Sequence, residues 1–300
     1  MLGQNVRFDG GNKAHDWLIK ELGKQVEWHP VCPEMEMGLG APRESVRLIS
    51  HGTTIEMVGN KTGEKLTALA KKTAARILGK FPEPDGMIFK KNSPSCGMER
   101  VRVEKKNGYV DRNALGMFAE AFMEKFPLVP CTEEGRMENL EEREHFVMRL
   151  FARKRWREQP KTIASLQLFH QRYKFILMAH NQKLAKDLGK IAANSDRRSP
   201  KEVCAEYELV FFDAMSKRTT PGRRFNVLQH LFGFLKDRLP EKEKKSLLDD
   251  LEGYRRGEIS FQATFALLRS ACKRVDVPYL EQNLFWDPYP RALGLRRFLE

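Results

Sequence analysis

Two short stretches carry the residue types that do chemistry. Val31-Cys32-Pro33-Glu34 and Lys90-Lys91-Asn92-Ser93-Pro94-Ser95-Cys96-Gly97 each set a cysteine in a Pro-containing turn, just after a short apolar run. Loops at one edge of an α/β sheet are where such folds present reactive groups. Thiolates are soft ligands, so two cysteines there suit a metal or iron–sulfur site. They suit a redox pair equally well. The third reading is two unrelated buried thiols, since free cysteine is among the most buried residue types.

The elements that must position these turns follow from periodicity. Residues 1–11 read as a loop and turn, and Lys13–Leu22 as a helix stopped by Gly23. Val26–Val31 reads as a strand leading into Cys32, and Val46–Ile49 with Thr54–Val58 as a hairpin. Thr62–Leu78 is an amphipathic helix with Leu66, Leu69, Ala70, Thr73, Ala74 and Ile77 on one stripe. A strand at Gly86–Phe89 delivers the second cysteine turn, followed by a helix at Asn113–Lys125 and a strand at Leu128–Val129. This alternation predicts an α/β domain with a mostly parallel sheet over residues 1–135. From 136 to 300 the pattern is all-α, with breaks at Pro160, Pro200, Thr220-Pro221-Gly222, Pro240 and Gly257. Its apolar stripes include Leu166, Phe169, Tyr173, Ile176 and Leu177, then Leu247, Leu248, Leu251 and Tyr254.

Composition bounds the setting. No apolar run reaches the length of a membrane span and the start lacks a signal-peptide profile, which predicts a cytoplasmic protein with no membrane role. The 5 cysteines are odd in number and widely spaced, as in a reducing compartment. The net charge of +13 is uneven: residues 1–140 carry 21 Lys and Arg against 19 Asp and Glu, and the remainder 32 against 21. A basic second half invites nucleic acid as a partner, while the same charge also serves as solvated helix surface.

The residues also resemble a known family. Val6-Arg7-Phe8-Asp9-Gly10-Gly11, Pro30-Val31-Cys32-Pro33-Glu34, Gly38-Leu39 with Pro42-Arg43, and Lys91 through Gly97 are similar in order and spacing to the thiouracil desulfidase family, across about residues 1–130. The resemblance implies a 4Fe-4S cluster held by three cysteines, with one iron open to the sulfur of a thiocarbonyl, and a small thiolated pyrimidine as substrate. Cys32 and Cys96 match two of the three ligands; Glu34 and Ser93 become candidates for proton transfer and substrate orientation. Ser93 as a turn residue and Glu34 as a loop-to-backbone hydrogen-bonding group are the plain alternatives. The family's first cysteine ends a first strand, and that register falls at or beside Met1, where this sequence has neither. A sequence beginning late, without its first strand, is the expectation; a lost ligand is the other explanation. Cys131 could substitute only if its loop folds back to the site.

The second half resembles a YbgA-type helical domain through Phe169-His170 to Lys174, Leu177-Met178-Ala179-His180, Asn226-Val227-Leu228-Gln229-His230, Tyr254-Arg255-Arg256-Gly257 and Tyr279-Leu280 with Gln282. That resemblance supplies no mechanism. His145, His170, His180 and His230 fall here without the i, i+4 spacing of a helical metal site, which reads as packing, or as an anion groove built from His170, His180 and Lys174. The expected function is an iron–sulfur-dependent desulfidase with a basic helical accessory domain. The competing expectation is a non-catalytic nucleic-acid-binding or interaction protein whose first domain has lost its cluster.

Overall fold

The computed structural model describes residues 1–105 and 108–295. They form two compact units, Met1–Phe146 and Val147–Glu300. The first contains the short helices α1 (Asp16–Lys20) and α2 (Pro33–Glu36), the strands β1 (Val46–His51) and β2 (Thr54–Gly59), and helix α3 (Thr67–Lys80). Strands β3 (Met87–Phe89), β4 (Val101–Lys105) and β5 (Val110–Ala114), helix α4 (Met117–Lys125) and strand β6 (Cys131–Glu133) follow. The second unit is helical among the described residues. Helix α5 (Leu140–Glu158) spans the boundary, and α6 (Ile163–His180), α7 (Gln182–Ala193), α8 (Pro200–Ser216), α9 (Pro221–Leu235), α10 (Glu241–Arg256), α11 (Phe261–Val275) and α12 (Pro278–Glu281) complete it.

The α/β domain followed by an all-α domain is as the sequence predicts, but the sheet is mixed rather than mostly parallel. Four strands run in the order β2-β1-β4-β5, with β1–β2 and β4–β5 antiparallel and β1–β4 parallel. Short connections force this outcome: the turn at Gly52-Thr53 can only reverse the chain, and only β1 to β4 has an intervening helix for a parallel return. Strands β3 and β6 form a separate parallel pair, with Met87 opposite Cys131 and Phe89 opposite Glu133.

Three local readings are corrected. Val26–Val31 forms no strand; Pro30 removes a ladder donor, and Val31 packs instead against the core cluster that includes Phe89 and Phe122. The helix expected from Asn113 starts at Met117, because β5 occupies Val110–Ala114 and Gly116 is the N-cap. The last strand lies at Cys131–Glu133 rather than at Leu128–Val129, where Val129 is buried in the core. Strands β4 and β5 were not anticipated, although Val101 and Val103 alternate inward with Arg102 outward.

Helix α3 works on two cores. Leu66 and Ala70 join Val46, Leu48, Met57, Val101 and Val103 against the four-stranded sheet. One to two turns on, Ala74, Ile77 and Leu78 join Phe89, Phe118, Phe122 and Val129 over the β3–β6 pair. The 3.6-residue period therefore ties both sheets to one rod.

The helical unit is built from capped helices. Thr162, Asn181, Thr220 and Ser260 each accept a backbone N–H at a helix start, and Ser199 with Glu202 forms a capping box. Its centre is aromatic: Trp156 stacks on Tyr207 with ring centroids 5.5 Å apart, and Phe169, Tyr173 and Phe211 surround them. The predicted stripes are buried apart from Leu248, which is exposed. No helix among the described residues is long and apolar enough to cross a membrane.

Candidate functional site

Cys32 stands at the head of α2, in extended conformation, with Pro33 as the first helical residue. Proline suits that position because its missing N–H would have no helical partner. The Cys32 thiol turns toward the Val6 carbonyl, 3.8 Å away. Glu34, one residue into the helix, has its Oε2 gripped by Arg43 through Nε at 2.9 Å and Nη2 at 2.6 Å. Its Oε1 accepts the Ser95 hydroxyl at 2.9 Å. That bond brings the two cysteine stretches together, since Ser95 is buried in the second of them.

The Cys96 loop is held from three directions. Inside it, Ser93 Oγ accepts the N–H groups of Ser95 (3.2 Å) and Cys96 (3.1 Å), and Gly97 N–H donates to the Ser93 carbonyl at 2.8 Å. Ser93 is thus a turn residue by geometry, as its sequence context allowed. From the end of β6 and the turn after it, Glu133 accepts Met98 N–H at 3.1 Å, while Glu134 accepts Lys91 N–H at 2.6 Å and pairs with Lys90. From α4, the N–H groups of Met117 and Phe118 reach the Pro94 and Ser95 carbonyls at 3.2 and 2.9 Å. Helix α4 thereby finds its N-terminal partners in the loop rather than in water. Gly116 permits this approach: a Cβ there would lie 2.5 Å from the Ser95 carbonyl carbon and 2.7 Å from Cys96 N.

The electrostatics match this packing. Burial, then the charges of Glu34 and Cys32, push the Cys96 thiol far above its ordinary range, against the Ser93 hydroxyl and the Lys90 charge. A buried neutral thiol is a weak nucleophile, and a coordinated cation reverses its preference toward thiolate. Glu133 is raised chiefly by burial, opposed by its bond from Met98.

Cys32, Glu34, Ser93 and Cys96 therefore converge. As soft donors, Cys32 and Cys96 would fit an iron–sulfur group in type. Among the described residues no group of three or more His, Cys, Asp or Glu is gathered to hold a metal ion. Cys131 lies at the far end of the β3–β6 pair from the Cys96 loop, with its thiol 3.4 Å from the Val129 carbonyl. His170 and His180 are packing groups: His170 Nδ1 lies 3.1 Å from the Tyr207 hydroxyl and His180 Nδ1 2.5 Å from the Lys217 carbonyl. Burial lowers both to about 4, so both are neutral at pH 7. Sequence reasoning missed Arg43, Ser95, Glu133 and Glu134 as parts of the site. Arg43 and Ser95 carried a signal only as members of the Pro42-Arg43 and Lys91–Gly97 motifs.

Comparison with known proteins divides the chain in the same order. Residues 1–134 match the family model of 2-thiouracil desulfurase, and residues 174–290 match DUF1722, a family of unknown function. The uncharacterized protein YbgA of Escherichia coli K12 is 25% identical over 143 residues, 47% of this chain and 85% of that protein. A solved structure described as the 4Fe-4S-dependent thiouracil desulfidase TudS is 25% identical, with a TM-score of 0.35 over 46% of this chain and 87% of that one. Residues 1–134 are thus similar to the 2-thiouracil desulfurase family and residues 174–290 to DUF1722, and the chain also resembles YbgA.

Proposed function

We propose that the first domain, read as residues 1–135, removes sulfur from a thiolated pyrimidine or a related thiocarbonyl compound, with Cys32 and Cys96 as two of three ligands to a 4Fe-4S cluster. The observation that carries this reading is the 2.9 Å bond from Ser95 to Glu34, which joins two motifs 61 residues apart into one loop cluster holding both thiols. When bound, such a cluster supplies a Lewis-acidic iron for the thiocarbonyl sulfur. The chain's own residues do the rest. Both lone-pair directions of Glu34 Oε2 are taken by Arg43, so Oε1 is the oxygen left to exchange a proton with water or substrate. Ser93 keeps the loop closed with its oxygen, and its hydroxyl, which bonds the Cys96 thiol, turns its proton to the substrate in this reading. Lys90, paired with Glu134, sets a positive charge beside Cys96.

The second domain, residues 136–300, is in this reading a basic accessory domain of a cytoplasmic protein, and its excess of Lys and Arg favours contact with nucleic acid. Anaerobic purification with iron and sulfide analysis, followed by assay on 2-thiouracil, tests the enzyme. Iron should fall with Cys32→Ala and with Cys96→Ala, and desulfidation should disappear with Glu34→Gln. A chain that binds no iron under these conditions and leaves 2-thiouracil intact would refute the reading. For the accessory domain, RNA binding should weaken steeply as salt rises; salt-independent binding would count against it.

A further inference from the structure

Arg43 is almost fully enclosed, its side chain 6% exposed beside a Glu34 that is 13% exposed. It makes five contacts with three separate pieces of chain. Nε and Nη2 hold Glu34 Oε2, Nη1 donates to the Gly40 carbonyl at 2.6 Å and lies 3.6 Å from Met35 Sδ, and Nη2 also donates to the Val6 carbonyl at 3.1 Å. The Val6 carbonyl is the same oxygen that the Cys32 thiol faces. One guanidinium thus holds the carboxylate directly and the cysteine through a shared acceptor.

Stability alone is a poor explanation for this arrangement. A buried ion pair costs desolvation comparable to its attraction, and apolar residues of the same volume are often as stable. The segment it grips is also one that cannot hold itself: α2 has four residues, far short of a self-supporting helix, and its N-cap Cys32 makes no side-chain capping bond. A planar fork with five donors reaches several acceptors in fixed directions, which an ammonium on a flexible stem does not.

We infer that Arg43 is the positioning residue of the site, fixing the Glu34 carboxylate and the Cys32 thiol relative to one another by clamping the Val6 loop, α2 and the Gly40 turn together. Its role toward catalysis rests on the desulfidase reading, while the clamp itself does not. The two cysteines differ accordingly. Cys32 depends on Arg43, whereas the Cys96 loop has its own supports in Ser93, Glu133, Glu134 and the first turn of α4.

The test is alkylation of metal-free, full-length protein with iodoacetamide, read peptide by peptide. In Arg43→Met the Cys32 rate should rise by about fivefold or more as its anchor opens, while Cys96 and the buried Cys204 and Cys272 stay within about twofold of wild type. Arg43→Lys should behave like Arg43→Met, because the charge survives and the fork does not. An unchanged Cys32 rate, a Cys96 rate rising in step with it, or full rescue by lysine would overturn the inference. Iron content and 2-thiouracil turnover of the wild type are measured alongside. A wild type without either, combined with the selective Cys32 response, would support the clamp while sinking the functional reading.

Discussion

The cysteine loops of the first domain and the helices of the second solve the same backbone problem by different means. In the helical domain most N–H and C=O groups are satisfied within each helix, and the ends are closed by neighbours one turn away, such as Ser199 with Glu202 and Ser260 with Ala263. The Cys96 loop has no such self-sufficiency. Its amides depend on Glu133 and Glu134, which lie 35 and 43 residues further along, and its Ser95 hydroxyl on Glu34, 61 residues back. A bundle can be assembled from local rules, whereas an irregular loop that presents a thiol must be held by side chains committed to it one by one. Changes that are mild in the bundle should therefore be severe at the loop.

Glycine gives the largest contrast. Gly116→Ala would set a methyl group 2.6 Å from the Ser95 carbonyl oxygen and against Cys96 N, where only backbone can move. A loss of about 3 kcal/mol or more is expected in urea unfolding of the first domain, along with faster Cys96 alkylation. Gly233, in the last turn of α9, has open space on the side where a methyl group would sit, with no atom within 4 Å, so Gly233→Ala should stabilise the helical domain by about 0.5 kcal/mol. Equal costs at the two sites would break the comparison.

Acid should act in the opposite sense, on the bundle first. His170 and His180 are lowered to about 4 from 6.5, chiefly by burial, so the unfolded chain binds protons that the folded one refuses between those values. Their contribution is complete above pH 6.5 and is lost as pH falls toward 4, by up to about 3 kcal/mol for each histidine. Thermal unfolding followed by Trp156 fluorescence should show the helical domain losing stability across that window. His180→Gln, which cannot gain a proton, should flatten the dependence. A helical domain whose midpoint is constant from pH 7 to 5 would remove buried histidine as its weak point.

How much could be read from the sequence divides along the same line. Pro160, Pro200, Pro221, Pro240 and Gly257 marked real helix boundaries because caps and breakers act within a few residues. Strand pairing is decided at a distance, which is why Val26–Val31 looked like a strand and is not, while Val110–Ala114 is a strand with a polar, half-exposed composition. At the site, Cys32, Glu34, Ser93 and Cys96 stood out by type and motif. Arg43 and Ser95 lay in motifs with no role attached, and Glu133 and Glu134 had no signal, since a surface-type residue becomes a site residue only through partners that the fold brings from elsewhere.

The carbonyls of Pro94 and Ser95 that receive the first N–H groups of α4 also fix how this part of the molecule can breathe. The helix end cannot fray without releasing the loop, and the loop cannot open without uncapping the helix. Amide hydrogens of Ser95, Cys96 and Gly116 through Ala119 should thus exchange with solvent as one cooperative unit. A molecule that grips the Cys96 loop would slow exchange along the first turn of α4, so the helix serves as a built-in reporter of occupancy at the thiol.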